Sequence, residues 1–345
     1  MKKHLPMAAE ITDYPSTIRT KFKELFNQEP LIIRSPGRIN LIGEHTDYNM
    51  GFVLPAAINK AIYLGIQLRT DNEIHLHALD YDDGHKTTLN EIVRSGKLWP
   101  DYVLGVLDQL LRKQGVIANK VKQGFNVVFG GDIPPGAGLS SSAALECATA
   151  FALNELFKLG LEKIDMVKIS QAAENEFVGM KCGIMDQFAS MFGKKDHLIR
   201  LDCQSLEYTY IPFQLKGVTV VLFDTRVKHS LASSAYNKRR EECEEGVKLV
   251  RGLRTEVGSQ GSEAGRLNPG VKSLRDVTEE MLLEFVKPVN ELVYRRCSFV
   301  VAENNRLLAG CKDLESNNVA AFGRKMFETH DGLSKLYEVS CQELD

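Results

Sequence analysis

The stretch GDIPPGAGLSSSAALE, Gly131 to Glu146, follows an apolar strand-like run, GFNVVF at 124–129, and leads into a helical pattern in which Leu145, Ala148, Ala152 and Leu156 recur. Pro134 and Pro135 stiffen the approach, while Gly136 and Gly138 let backbone amides come close to a ligand. Ser140, Ser141 and Ser142 stand where the helix begins, among N–H groups at the positive end of its dipole, where an anion binds well. A capped helix after a tight turn needs only one serine. Three serines behind two closely spaced glycines favour a phosphate-binding loop with Gly136, Ala137, Gly138, Leu139 and the serines as its lining. The loop is neither GxxxxGK[ST] nor GxGxxG, because Ser141 occupies the place of the third glycine.

A second stretch is equally unusual. GRINLIGEHTDYNMGFVLP, Gly37 to Pro55, sets Arg38, Glu44, His45 and Asp47 among Ile39, Leu41, Ile42, Phe52, Val53 and Leu54. Buried charges need partners, and carboxylates accept strongly from hydroxyls. Taken alone, this stretch reads as a polar turn with a surface salt bridge to Arg38. Beside a phosphate loop, it reads as a binding site.

The totals restrict the class. The 345 residues allow a sizeable core and favour two domains, and 43% hydrophobic with 26% charged residues is ordinary for a globular protein. A formal charge of −2 gives no broad grip on nucleic acid or anionic lipid, and no apolar run resembles a signal peptide or a membrane span. Seven dispersed cysteines without a CxxC pair suggest reduced thiols in a cytoplasmic protein. His75 and His77, in EIHLHAL, alternate onto one polar strand face and are read as solvated, not as a metal site.

Strand signals are expected at 31–35, 61–69, 73–79 and 124–129, a helix at 101–114, and another at 165–178. HLIRLDC and VTVVLFDT return to strand character; from Tyr236 onward helix dominates, with NKRREECEE on a solvated face. The polar segment 255–270 reads as a surface loop. Met185, Phe188, Ala189 and Phe192 form a one-sided stripe, so Asp186 starts a helix beside a buried seam. Trp99 suits either a nucleotide pocket or the core.

The serine loop resembles the second motif of the GHMP small-molecule kinases, and Gly37–Pro55 resembles the signature of their galactokinase branch. CGIMDQF at 182–188 and VKHSLASSAYNKRREECE at 227–244 are similar to further galactokinase segments. The resemblance implies an α+β fold in two lobes: an N-terminal mixed-sheet domain, 1–200, and a C-terminal α+β domain, 201–345, with the active site in the cleft between them. It implies ATP-dependent phosphorylation of galactose with Mg²⁺, by a monomer without nucleic-acid or membrane partners. Glu44, His45, Asp47, Gly183 and Tyr236 would hold the sugar. Asp186 would orient the anomeric hydroxyl and take its proton late, with Arg38 keeping it ionised. Ser142 and Glu174 would share the magnesium ion. Positioning and charge stabilisation dominate such phosphoryl transfers.

Alternatives within the resemblance are an N-acetylgalactosamine kinase and a non-catalytic galactose- and ATP-binding sensor. Ile184 and Met185 are bulky where an N-acetyl group needs space, and sensors of this fold lose serine-loop residues that SSSAALE retains. The resemblance also implies a third, glycine-rich motif near the C-terminus. The sequence has none, its one pair of adjacent glycines being Gly130–Gly131, so the C-terminal domain is expected to be incomplete.

Overall fold

The computed structural model describes residues 13–113, 119–134, 136–213, 217–225, 232–252 and 268–345. They fall into two units. The first comprises residues up to 37, 59–134 and 140–179; the second comprises 38–58, 135–139 and 180–345. The break expected from the sequence near residue 200 falls inside the second unit, whose last segment begins at 180 and which also takes in 38–58.

In the first unit a five-stranded sheet has the order β1-β3-β6-β4-β5, with β1 at Leu31–Asn40, β3 at Pro55–Leu68, β4 at Glu73–Ala78, β5 at Asp83–Thr88 and β6 at Phe125–Gly131. β6 is parallel to β4 and antiparallel to β3, with Leu64 opposite Phe129. Six of its seven residues are buried, which explains its unbroken apolar run. α1, Tyr14–Phe26, packs Ile18 and Phe22 against Val128, with Ile32 and Tyr63 around them. α2 (Trp99–Arg112), α3 (Ser141–Phe157) and α4 (Lys163–Ala172) pack together, and α3 is buried on most sides. A π turn, Ala173–Val178, follows α4.

The His75–His77 face is half-buried rather than fully exposed, both rings lining an open cavity beside the end of α1. The side chains are 16% and 12% exposed, Phe26 of α1 lies 6.2 Å from the His75 ring, and Glu73 holds His75 Nε2 at 2.9 Å. Trp99 is half-buried: its indole donates to Asp83 at 3.0 Å and its ring lies 5.5 Å from Phe129.

The second unit contains the antiparallel sheet β2-β7-β8, with β2 at Phe52–Val53, β7 at His197–Asp202 and β8 at Tyr208–Pro212. Its helices are α5 (Met185–Phe192), α6 (Ala232–Val250), α7 (Glu291–Glu315) and α8 (Val319–Gly332). α7 carries two cores. Val293, Cys297, Phe299 and Val300 pack with Cys243, Val250 and Tyr337, while Leu307, Cys311 and Leu314 pack with Ile42, Leu54, Leu198 and Phe322.

VTVVLFDT forms no strand among the described residues. Val218 and the run Val220–Phe223 are exposed, and neither sheet includes them. Strand propensity records how well a side chain packs on a pleated surface, so a run without a strand beside it remains irregular. Most of the polar 255–270 segment lies outside the described residues. Among those described, no helix is long and apolar enough to cross a membrane.

Phe22 is fully buried under the central strand. Phe22→Ala should remove about 3–5 kcal/mol of stability. An unchanged denaturation midpoint would contradict this packing.

Candidate active site

The second unit gathers most of the candidate residues. Near the end of β1, Arg38 forks onto Asp186: Nε donates to Oδ1 and Nη2 to Oδ2, both at 2.8 Å. Its remaining nitrogen, Nη1, donates to the Gly138 carbonyl at 2.5 Å, and its backbone N–H to the Leu139 carbonyl at 3.1 Å. A planar guanidinium holds a carboxylate in this two-point way more rigidly than an ammonium can. Burial works against the Arg38 charge, but Asp186 outweighs it and the pKa of Arg38 is raised. Asp186 lies in the first turn of α5, whose Met185, Phe188 and Ala189 are buried as expected, and its side chain remains 25% exposed.

Two more carboxylates lie near this pair. Glu44 accepts from Asn40 Nδ2 at 2.8 Å; burial pushes its pKa up to about 7 against the pull of Asn40 and Arg38. Asp47 is buried, and burial together with the charge of Asp186 raises it to about 6, opposed by the amides of Tyr48 and Met185 and by Arg38. A Cβ at position 183 would lie 1.9 Å from Asp47 Oδ2, so this position accepts only glycine without displacing the carboxylate. Tyr236 stands 5.6 Å from the His45 ring, centroid to centroid. Three acidic groups around one guanidinium form a site deficient in hydrogen-bond donors, the complement of a polyhydroxylated ligand.

His45 itself has a positive φ of 61°, a strained conformation for a residue with a Cβ. Its carbonyl accepts from Asn49 Nδ2 at 2.9 Å, and Thr46 Oγ1 reaches the carbonyls of Gly43 at 2.8 Å and Phe52 at 2.5 Å. α7 braces the loop: Glu303 accepts the Gly43 N–H at 2.7 Å and Asn304 the Phe52 N–H at 2.9 Å. Glu303 is fully buried and also engages Thr329 and Arg306.

Asn40, Glu303 and Asn304 were not apparent as site residues from the sequence. The only signal for the helix pair was their position: Val300, Glu303, Asn304 and Leu307 follow the spacing of an apolar helix stripe, so two polar residues occupy core-facing places.

The serine loop continues from the second unit, Gly136–Leu139, into the first, Ser140 onward. Gly136, Gly138 and Ser140 have φ of 75°, 71° and 60°, and nothing lies within 4 Å of a Cβ built at either glycine. The Ser140 side chain does not cap α3, so the simple capped-helix reading is not realised. In the first unit Ser142 Oγ donates to Glu174 Oε1 at 3.1 Å, and Glu174 is buried in the π turn. Two hard oxygen donors, one of them anionic, suit Mg²⁺, which retains waters and binds nucleotide phosphates. Among the described residues no three His, Cys, Asp or Glu side chains converge as a metal site.

Comparison with known proteins gives the family. Residues 20–68 match the galactokinase galactose-binding signature, and residues 101–194 the N-terminal domain of the GHMP kinases. The galactokinase of Thermotoga neapolitana is 42% identical over 322 residues, covering 91% of this chain and 80% of the relative. That of Roseiflexus is 38% identical, covering 95% and 79%. Among solved structures, Lactococcus lactis galactokinase complexed with galactose aligns with a TM-score of 0.84 at 33% identity, covering 96% of this chain and 82% of that one.

The chain belongs to the galactokinase family. The expected GHMP kinase fold is therefore correct, and the protein is a kinase of a family that uses ATP. The galactokinase signature includes Arg38 to Asp47 and the GHMP kinase domain the serine loop, Glu174 and Asp186, whereas Tyr236, Glu303 and Asn304 lie beyond both.

The raised pKa of Glu44 has a stability consequence. The unfolded chain releases this proton near 4.5 and the folded chain near 7, so folding loses stability as pH rises through that window. Glu44→Gln should match the wild type at pH 4.5 and exceed it by about 3 kcal/mol at pH 8. A constant difference between pH 4.5 and 8 would contradict the burial of an ionisable Glu44.

Proposed function

We propose that this chain transfers the γ-phosphoryl group of ATP to the C1 hydroxyl of α-D-galactose, giving galactose 1-phosphate. The observation that carries the proposal is the forked Arg38–Asp186 pair amid the buried carboxylates of Glu44 and Asp47. The galactose in the Lactococcus lactis complex supports the choice of sugar.

In this reading Glu44, His45, Asp47 and Tyr236 hold the sugar hydroxyls, and Gly183 leaves the Asp47 carboxylate its room. Asp186 accepts a hydrogen bond from the anomeric hydroxyl, orients its oxygen towards the phosphorus and receives the proton late, after most of the P–O bond rearrangement. Arg38 holds Asp186 in orientation through its two-point contact, and its bond to the Gly138 carbonyl ties that pair to the loop. Amides and hydroxyls of Gly136, Ala137, Gly138, Leu139, Ser140, Ser141 and Ser142 bind the nucleotide phosphates. Ser142 and Glu174 would hold Mg²⁺, which when bound would neutralise phosphate charge. Discrimination among sugars follows from the carboxylates: an epimer that fails to donate leaves a buried acceptor unpaired, a loss of roughly 1.5–3 kcal/mol per contact. The proposal includes a monomeric enzyme in the cytoplasm acting on a small molecule alone; the buried free thiols of Cys203, Cys243, Cys297 and Cys311 suit a reducing compartment.

Asp186→Asn should lower kcat by three orders of magnitude or more while galactose still binds, since positioned charge and proton acceptance are lost together. ADP release followed beside calorimetric sugar titration checks this, and near-normal turnover removes Asp186 from its role. The galactose KM should fall as pH rises from 5 to 8, as Asp47 and then Glu44 ionise near 6 and 7. A KM that does not change across this range contradicts the carboxylate contacts.

A further inference from the structure

Behind His45, inside the second unit, lies a row of protic groups with no part in the mechanism above. His45 Nδ1 is 2.9 Å from Tyr48 Oη, Tyr48 Oη is 2.7 Å from Tyr337 Oη, and Tyr337 Oη is 3.2 Å from Cys243 Sγ. Tyr48, Tyr337 and Cys243 are buried, the last two completely. The Tyr337 ring also packs at a tilt of 44° against the His45 ring, 4.7 Å between centroids, and its backbone carbonyl is held by Arg239 Nε at 2.6 Å. Tyr48 belongs to the stretch around Asp47, Cys243 to α6, and Tyr337 to the segment after α8. Three separate parts of the chain thus converge on one ring nitrogen.

Each hydroxyl in the row has one proton, so the direction of one bond sets the direction of all. The bond at His45 decides it. A phenol is the better acid of the two groups and an unprotonated ring nitrogen the better base, so Tyr48 donates to Nδ1. The Tyr48 oxygen then accepts from Tyr337, and the Tyr337 oxygen accepts from the Cys243 thiol. Burial and the charge of Arg239 lower the His45 pKa to about 4, so the ring is neutral in the working range and its single proton must lie on one nitrogen or the other. With Nδ1 accepting, it lies on Nε2.

We propose that the buried row Cys243–Tyr337–Tyr48 is a positioning device that locks His45 in the tautomer bearing its proton on Nε2, so that His45 meets a sugar hydroxyl as a donor. The surroundings give this polarity a purpose. Hydroxyls that donate to Glu44 and Asp47 have lone pairs left to satisfy, and carboxylates cannot satisfy them. The tautomer claim stands independently of the sugar; the use of the Nε2 proton rests on the proposed galactose site.

The test is ¹⁵N NMR of the unliganded protein labelled at histidine, the His45 signals being assigned by their loss in His45→Asn. The expected wild-type pattern has Nδ1 unprotonated and Nε2 protonated, and Tyr48→Phe should shift the ring towards a mixture of tautomers. Tyr337→Phe keeps the ring packing, removes the donor to Tyr48, and should move the His45 Nδ1 resonance in the same direction by less. Both variants should raise the galactose KM, Tyr48→Phe by about tenfold, with kcat within a factor of two or three. A wild-type ring protonated on Nδ1 overturns the proposal, as does an Nδ1 resonance unchanged in both variants. A fall in kcat without a rise in KM overturns the positioning role. If the galactose site itself is wrong, wild-type protein will show the Nε2–H tautomer yet release no ADP with galactose, a result that leaves the row's effect on the ring intact and removes only its use.

Discussion

Charge placed in the interior needs an anchor, and Arg38 supplies it here. Its three guanidinium nitrogens reach the two oxygens of Asp186 and the carbonyl of Gly138, so one side chain fixes the acid at the start of α5 and the loop that precedes α3. Asp47 and Glu44 lie within its field as well, and its charge works against the desolvation that raises both. Replacing such a residue by lysine would keep the charge and lose the fork. An arrangement of three acids around one cation is unfavourable for the empty protein and favourable for a ligand rich in hydroxyl donors. Stability is given up where binding is gained, as active sites commonly do.

The bracing of Gly43–Phe52 extends this reasoning outward. A loop that carries a left-handed His45 and a buried Asp47 must be held by groups that do not relax, and α7 supplies Glu303 and Asn304 for that purpose. Glu303 is itself buried and held by Thr329 and Arg306. The residues that would touch a sugar are therefore supported by a second layer drawn from parts of the chain about 260 residues away in sequence. Geometry of this kind is what binding and transfer chemistry require.

Much of this was legible beforehand. The serine loop, the acidic signature and the Asp186 helix each carried local signals of spacing and capping, and local signals survive without an alignment. The strand assignments at β4 and β6 held because alternation and unbroken apolar runs are properties of a few neighbouring residues. Failures have a common cause. VTVVLFDT has strand composition but no pairing among the described residues; the His75–His77 face is partly shielded by Phe26 at the end of α1, which no periodicity could announce. Glu303, Asn304 and Tyr337 act through contacts distant in sequence, and for the first two a polar residue in an otherwise apolar helix stripe was the faint trace; Asn40 reaches Glu44 only four residues on, but a strand asparagine carries no signal of that role. The division into units was misplaced for the same reason: 38–58 packs with the C-terminal half, a pairing invisible in chain order.

The central claim is that these acids bind galactose and direct phosphate to its anomeric oxygen. Incubating the protein with galactose, ATP and Mg²⁺ and recording ¹H-coupled ³¹P spectra tests it most directly. The account predicts a new sugar phosphate whose phosphorus couples to an α-configured H1. A phosphate coupled to the C6 protons instead, or no sugar phosphate at all under conditions where the folded protein binds both substrates, would contradict it.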